Sequence, residues 1–199
     1  METTSRLDGT RRWTPAAERV LTAASELFYR QGLGAVGVET IAEAAGVTKK
    51  TLYDRFGSKA QLVAAYLSAR DRRWRDHLVG YVDAHGANAD GRLLAVFDAL
   101  GEWMRAENSR GCAFVHAYAE LTDPDHPGRR VTEDQKRWLV EYLTRLARDA
   151  GVPDPGQAAA QMFLLHEGAT VAYGMGVDVD AAATARAAAV GLLGRQLSR

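Results

Sequence analysis

The chain has 199 residues, 47% of them hydrophobic and 25% charged, a balance that suits one sizeable core, or a small module joined to a larger one, and excludes a disordered chain. No apolar run approaches the ~18 residues of a membrane span, and the start, Met1-Glu2-Thr3-Thr4-Ser5-Arg6, lacks a secretory signal's apolar stretch, so the expected place is the cytoplasm with no membrane partner. A formal net charge of zero speaks against a protein that coats nucleic acid regardless of sequence, and the single cysteine, Cys112, rules out an intrachain disulfide and a multi-cysteine zinc site.

In chain order, residues 1–13 read as a polar, flexible arm. Thr14-Pro15 opens a first helix with a side-chain cap and a proline whose missing N–H costs nothing there. Val20, Ala23, Ala24, Leu27 and Phe28 form its apolar face, and Gly32 stops it. A short helix near 38–45 carries Val38, Ile41, Ala42 and Ala45 and breaks at Gly46. Thr48 then caps a third helix over 49–55, and Ser58-Lys59-Ala60-Gln61 matches a capping box that opens a long fourth helix running past Trp74. Further helices are predicted near 90–107, 112–121, 129–150, 154–175 and 179–197, separated by glycine-, proline- and aspartate-bearing breaks such as Asp123 to Gly128. With no strand alternation competing, the predicted fold is all-α, divided near residue 58, with the long fourth helix shared by both parts.

The informative stretch runs from Ile41 to Phe56, Ile-Ala-Glu-Ala-Ala-Gly-Val-Thr-Lys-Lys-Thr-Leu-Tyr-Asp-Arg-Phe. Two short helices that cross tightly need small residues at the contact, which Ala42 and Ala45 supply, and Gly46 lets the chain reverse. Leu52 and Phe56, four apart, point inward, so Thr48, Lys49, Lys50 and Tyr53 fall on other faces of the third helix. Lysines can meet phosphates or guanine edges, and a threonine can meet a base through its hydroxyl or methyl. Lys59, at the start of the next helix, adds its ammonium to a helix N-terminus that already attracts phosphate. Residues 1–59 hold nine basic and seven acidic groups, a small excess, yet three of the four lysines fall between Lys49 and Lys59.

With Ala23, Ala24, Leu27, Phe28, Gly32, the Ile41–Lys49 run, Thr51, Leu52, Tyr53, Phe56, Ser58, Lys59 and Leu62 in place, residues 14–62 resemble the DNA-binding domain of the TetR family of bacterial repressors. The resemblance implies a one-component transcriptional regulator. Residues 14–58 would be a helix-turn-helix reading double-stranded, palindromic operator DNA, and 59–199 a helical ligand-binding and dimerisation core that lets go of DNA when a small-molecule effector binds. Carried over by position, Thr48, Lys49, Lys50, Tyr53 and Lys59 contact DNA, with Thr40 as an additional candidate. Gly37 departs from the pattern, standing where the family often has a capping threonine, and Glu39 nearby, if it faced the duplex, would reject many sequences rather than add affinity.

Residues 181–193, small and apolar on nearly every face, suit a helix shared across an interface, and the resemblance implies a homodimer through 154–175 and 179–197. For the core, Trp103, Cys112, His116, Tyr118, Phe163, His166 and Tyr173, with Phe114, are candidates to line a ligand cavity. Cys112, His116 and Glu120 recur every four residues and admit a metal site, a redox-sensing thiol at Cys112, or a plain pocket wall. No cofactor is expected. The other classes are a helical small-molecule-binding protein, an enzyme using Cys112 and His116, for which four-apart residues on one helix give poor nucleophile–base geometry, and a nonspecific DNA-compacting protein.

Overall fold

A computed structural model of the chain describes residues 13–107 and 109–197, with side chains through Gly194. Among them the only regular elements are nine α-helices, and no helix is long and apolar enough to cross a membrane. The helices are α1 (Pro15–Gln31), α2 (Val38–Ala44), α3 (Lys49–Phe56), α4 (Lys59–His85), α5 (Ala89–Glu107), α6 (Ala113–Glu120), α7 (Pro127–Asp149), α8 (Pro155–Gly174) and α9 (Ala181–Leu197). The chain divides into two compact units, through Val63 and from Ala64 on, and α4 spans the division. Most of the arm expected at residues 1–13 lies outside the described residues; Trp13 stacks on Phe56 with ring centroids 5.2 Å apart.

In the first unit, local chemistry sets each boundary. The Thr14 hydroxyl accepts from the Ala17 N–H at 3.4 Å, and the Gly32 N–H closes the other end of α1 onto the Phe28 carbonyl. Ala17, Val20, Ala24 and Phe28 are buried at helical spacing, facing Val38, Ile41 and Ala42 of α2 and Leu52 and Phe56 of α3 in one small core. Gly46, at φ +62°, ends α2 in a Schellman turn in which the Gly46 N–H meets the Glu43 carbonyl and the Val47 N–H meets that of Ala42. The same stop recurs twice, with Gly151-Val152 after α7 and Gly176-Val177 after α8. Val152 is buried, whereas Val177 is 75% exposed.

The second unit packs α5, α7 and α8 around Leu93, Val96, Phe97, Leu100, Leu139, Leu143 and Met162, joined by Trp74, Leu78 and Val82 from α4. Each such leucine removed from water contributes about 1.5–3 kcal/mol. The α5–α9 contact is close, since a Cβ on Gly101 would stand 3.3 Å from that of Ala182. The sequence places Pro127 and Gly128 in the break before α7, but the helix begins at Pro127, and the His126 ring nitrogen Nδ1 accepts from the Gly128 N–H at 3.0 Å. Proline suits this first position because the N–H it lacks has no helical partner there. The helix α8 is apolar on opposite sides, with Ala158, Ala159, Met162 and Ala169 buried while Leu164 and Val171 are exposed.

Candidate functional site

The third helix of the first unit buries Leu52 and Phe56 and leaves Lys49, Lys50 and Tyr53 to solvent, Tyr53 39% exposed. Thr48 is the cap of that helix: its hydroxyl accepts from the Thr51 N–H at 3.1 Å and lies 2.9 Å from the Thr51 hydroxyl. Thr40 is exposed on α2, and Lys59 is half-buried at the first position of α4, where the Ser58 hydroxyl accepts from the Gln61 N–H at 3.1 Å.

Glu39, exposed on α2, forms an ion pair with Lys49 that ties the first turns of α2 and α3 together. The hydrogen bond between them lowers the Glu39 carboxyl below its ordinary range and raises the Lys49 ammonium. Lys50 and Lys59 form no ion pair among the described residues. Gly37 is the cap residue of α2 in extended conformation, with no side-chain cap bond.

In the second unit two spaces meet along α6, α7 and α8. The inner one, about 20 Å³, is walled by Trp74, Leu100, Trp103 and Phe114 and reached by Arg70, Cys112, Gln135, Lys136, His166 and Thr170. The outer one, about 510 Å³, is a groove between Phe114, Val115, Tyr118 and Phe163 with Thr132, Glu133, Lys136, Arg137 and Glu167 around it. Phe114 and Lys136 line both.

A half-buried polar chain runs beside them. Lys136 Nζ donates to both carboxylate oxygens of Glu167 at 2.8 Å, lies 3.6 Å from Cys112 Sγ, and Glu167 Oε1 lies 3.2 Å from His166 Nδ1. Burial pushes the Glu167 carboxyl up, but the His166 hydrogen bond and the Lys136 charge outweigh it and hold the group down at about 2. Burial opposes the Lys136 ammonium as well, yet the Cys112 sulfur and Glu167 raise it above its ordinary value. Arg70, 4% exposed, donates to the Glu107 carbonyl at 2.6 Å and sits 5.6 Å from the Trp103 ring centre.

Of the residues expected to line a cavity, Trp103, Cys112 and His166 meet at the inner space and Tyr118 and Phe163 at the outer groove. His116 is exposed, and Tyr173 packs against the core cluster; neither lines either space. Cys112 is the cap residue of α6, with an extended backbone, and its sulfur lies toward Lys136, while His116 and Glu120 are exposed. No cluster of three metal-ligating side chains occurs among the described residues. Sequence reasoning missed Arg70, Trp74, Gln135, Lys136 and Thr170, which only packing brings together.

The turn that carries Cys112 rests on the end of α8. Gly111 has φ +85°, and a Cβ on Gly174 would stand 2.6 Å from Gly111 Cα and 2.7 Å from its nitrogen. Backbone cannot yield as a flexible side chain does. Gly174→Ala is expected to cost about 1–3 kcal/mol, read as a lower urea midpoint at unchanged slope. An unchanged midpoint would mean that these two segments part freely.

Known proteins resemble this chain along most of its length. The sequence model described as "Bacterial regulatory proteins, tetR family" matches residues 20–66. The HTH-type transcriptional regulator YjdC of Escherichia coli K12 is 30% identical over 154 residues, 76% of this chain and 79% of that one. The HTH-type transcriptional activator FasR of Mycolicibacterium smegmatis is 36% identical over 135 residues, 66% of this chain and 55% of that one. Among solved structures, SCO4454, a TetR-family transcriptional regulator from Streptomyces coelicolor, superposes with a TM-score of 0.84 at 32% identity, covering 92% of this chain and 96% of its own.

Proposed function

Because the chain belongs to the tetR family of bacterial regulatory proteins, whose members regulate transcription and are not enzymes, we propose that it is a cytoplasmic one-component repressor. In this reading it binds palindromic operator DNA as a homodimer and is released by a small molecule held in its core. The observation that carries the DNA half is α3. It is capped by Thr48, anchored by Leu52 and Phe56, and turns Lys49, Lys50 and Tyr53 outward. A helix with that division of faces can enter a major groove without giving up its own core.

Dimerisation follows from energetics as much as from kinship. One recognition helix neutralises few phosphates, so a single unit binds weakly. A two-fold axis sets two such helices about 34–36 Å apart, one turn of the duplex. Leu164, Gly168, Val171 and Met175 lie at helical spacing along the exposed side of α8 and its end, and Ala183, Ala187 and Val190 along that of α9. A second copy would cover both stripes.

Release requires a ligand that favours one state over another. Arg70 and Trp74 belong to α4 and line the inner space, so a ligand there touches the helix that begins at Lys59. FasR is named an activator, so the sign of regulation is part of the proposal and needs its own measurement. Footprinting on the DNA flanking the gene, with a reporter fused to the protected promoter, tests the reading. Protection of a two-fold site, with reporter output rising when the protein is deleted, supports it, and output falling on deletion makes the protein an activator.

The site also makes a salt prediction. Lys59→Ala should flatten the dependence of log affinity on log salt by roughly one phosphate-equivalent per half-site. Glu39→Gln, which releases Lys49, should steepen it by a similar amount. Equal slopes in all three proteins would place both lysines away from phosphate.

A further inference from the structure

Glu39 and Lys49 are ten residues apart on different helices, and the small core, rather than their own attraction, fixes the backbones that carry them. Val38, Ile41 and Ala42 are buried around Glu39 on α2, and Leu52 is fully buried one turn after Lys49 on α3. Between the two helices the turn at Gly46 is closed by backbone hydrogen bonds, and Arg19 Nε of α1 donates to the Ala45 carbonyl at 3.2 Å. The side chains that meet on this frame are open to solvent, Glu39 68% exposed and Lys49 51%.

An exposed ion pair adds little to stability. Nor does this one suit a phosphate, because its charges cancel and the carboxylate would stand beside the phosphate oxygens that Lys49 approached. Lys50 and Lys59, with no ion pair among the described residues, are better placed for that work.

What the pair offers is a donor held beside an acceptor. Lys49 is the first residue of α3, and the N-terminal residues of a recognition helix are those that reach base edges. In the major groove a G·C pair presents the opposite arrangement: guanine O6 and N7 accept, and next to O6 the cytosine N4 amino group donates. O6 and N4 are hydrogen-bonded to each other across the base pair, about 2.9 Å apart, the separation of an ammonium and a carboxylate in contact. An ammonium has three N–H groups, one for Glu39 and two for guanine. An A·T pair sets only one acceptor on either side of its amino group. Guanine with cytosine is the fuller match.

We propose that Glu39 and Lys49 together read one G·C base pair in each half of the bound DNA, the ammonium donating to guanine O6 and N7 and the carboxylate accepting from the N4 amino group of the paired cytosine. The inference rests on the reading of α3 as the helix that enters the major groove, and it names what one contact there selects.

The test is selection by the full chain from a pool of random-sequence duplexes, with the enriched sequences counted. Four proteins are compared: the parent, Glu39→Ala, Lys49→Ala, and the exchanged pair carrying Glu39→Lys with Lys49→Glu. The parent is expected to enrich a two-fold motif with one position per half at which G·C exceeds every other pair about tenfold or more. Either alanine substitution should reduce that margin to within about threefold, at that position alone. The exchanged pair, which sets an acceptor where the donor stood, should prefer the same base pair turned round, C·G. A duplex with inosine for that guanine keeps O6 and N7 and should bind like the parent sequence. An exchanged pair that keeps the parent's preference, a margin that survives both alanines, tenfold weaker binding of the inosine duplex, or a loss in Lys49→Ala spread equally over all sequences overturns the assignment. The two alanine proteins decide the matter even if the exchanged pair fails to fold. A parent that enriches no motif removes the operator reading and this inference with it, whereas a motif indifferent to Glu39 and Lys49 removes this inference alone.

Discussion

Leu164→Glu leaves the chain folded, converts it to a monomer by sedimentation, and lowers operator affinity on the order of 100-fold or more. Leu164 is 69% exposed on α8, so an isolated chain gains nothing from its side chain and loses little when it becomes charged. In a two-fold dimer each copy would press that position against the other near the axis. Two carboxylates would then be taken from water with no cation to pair them, at a cost of several kcal/mol. Losing the dimer splits one bidentate binding event into two weak ones, each neutralising half the phosphates. Leu164→Ala, which removes area without adding charge, is expected to weaken the dimer and keep DNA binding at high protein concentration. A glutamate variant that sediments and binds operator like the parent would remove α8 from the interface.

The second large effect concerns stability. Lys136→Met strands the Glu167 carboxylate, 20% exposed, and is expected to cost about 3–5 kcal/mol in urea unfolding. Lys136→Met combined with Glu167→Met should recover most of that loss, because apolar groups of similar volume carry no desolvation penalty. A double variant as unstable as the single one would mean that Lys136 acts through packing rather than charge.

The same pair sets an acid limit. The folded Glu167 carboxyl stands at about 2, below its ordinary 4.5, so folding favours its ionised form. Its contribution, about 3 kcal/mol, is fully present above pH ~4.5 and is lost as pH falls from there towards 2. Glu167→Gln should therefore flatten the acid side of the stability curve over that interval.

How much of this was legible beforehand depended on whether a signal was local. Thr14-Pro15, Gly32, Gly46, Thr48 and Ser58 each act on the residues within one turn of themselves, and both ends of α1, the end of α2 and the starts of α3 and α4 follow from them. Pro127-Gly128 reads equally as a turn or as a helix's first turn, and the His126 cap decides it. The outer face of α3 was readable for the same reason, since a polar face on a short capped helix is written in consecutive positions.

The core site was harder. Gln135 and Lys136 look like ordinary polar positions on an amphipathic helix, and only the packing of α7 against α6 and α8 turns them inward. Spacing alone was also too little: Cys112 and His116 are four apart in sequence, but Cys112 caps the helix and lines the inner space while His116 is exposed.

One last consequence lies in the glycine–valine stop after α8. Of its two counterparts, Val152 after α7 is buried and Val47 after α2 partly so, while Val177 faces solvent, with Met175 and Val179 exposed beside it at 73% and 75%. A stop of this kind closes firmly only when something shields it. If a second copy provides the shield, mass action reaches into the secondary structure itself, so that dilution frays the last turn of α8 while the rest of the chain stays intact. The cell's dose of this protein would then be registered first at these three apolar side chains, far along the chain from α3.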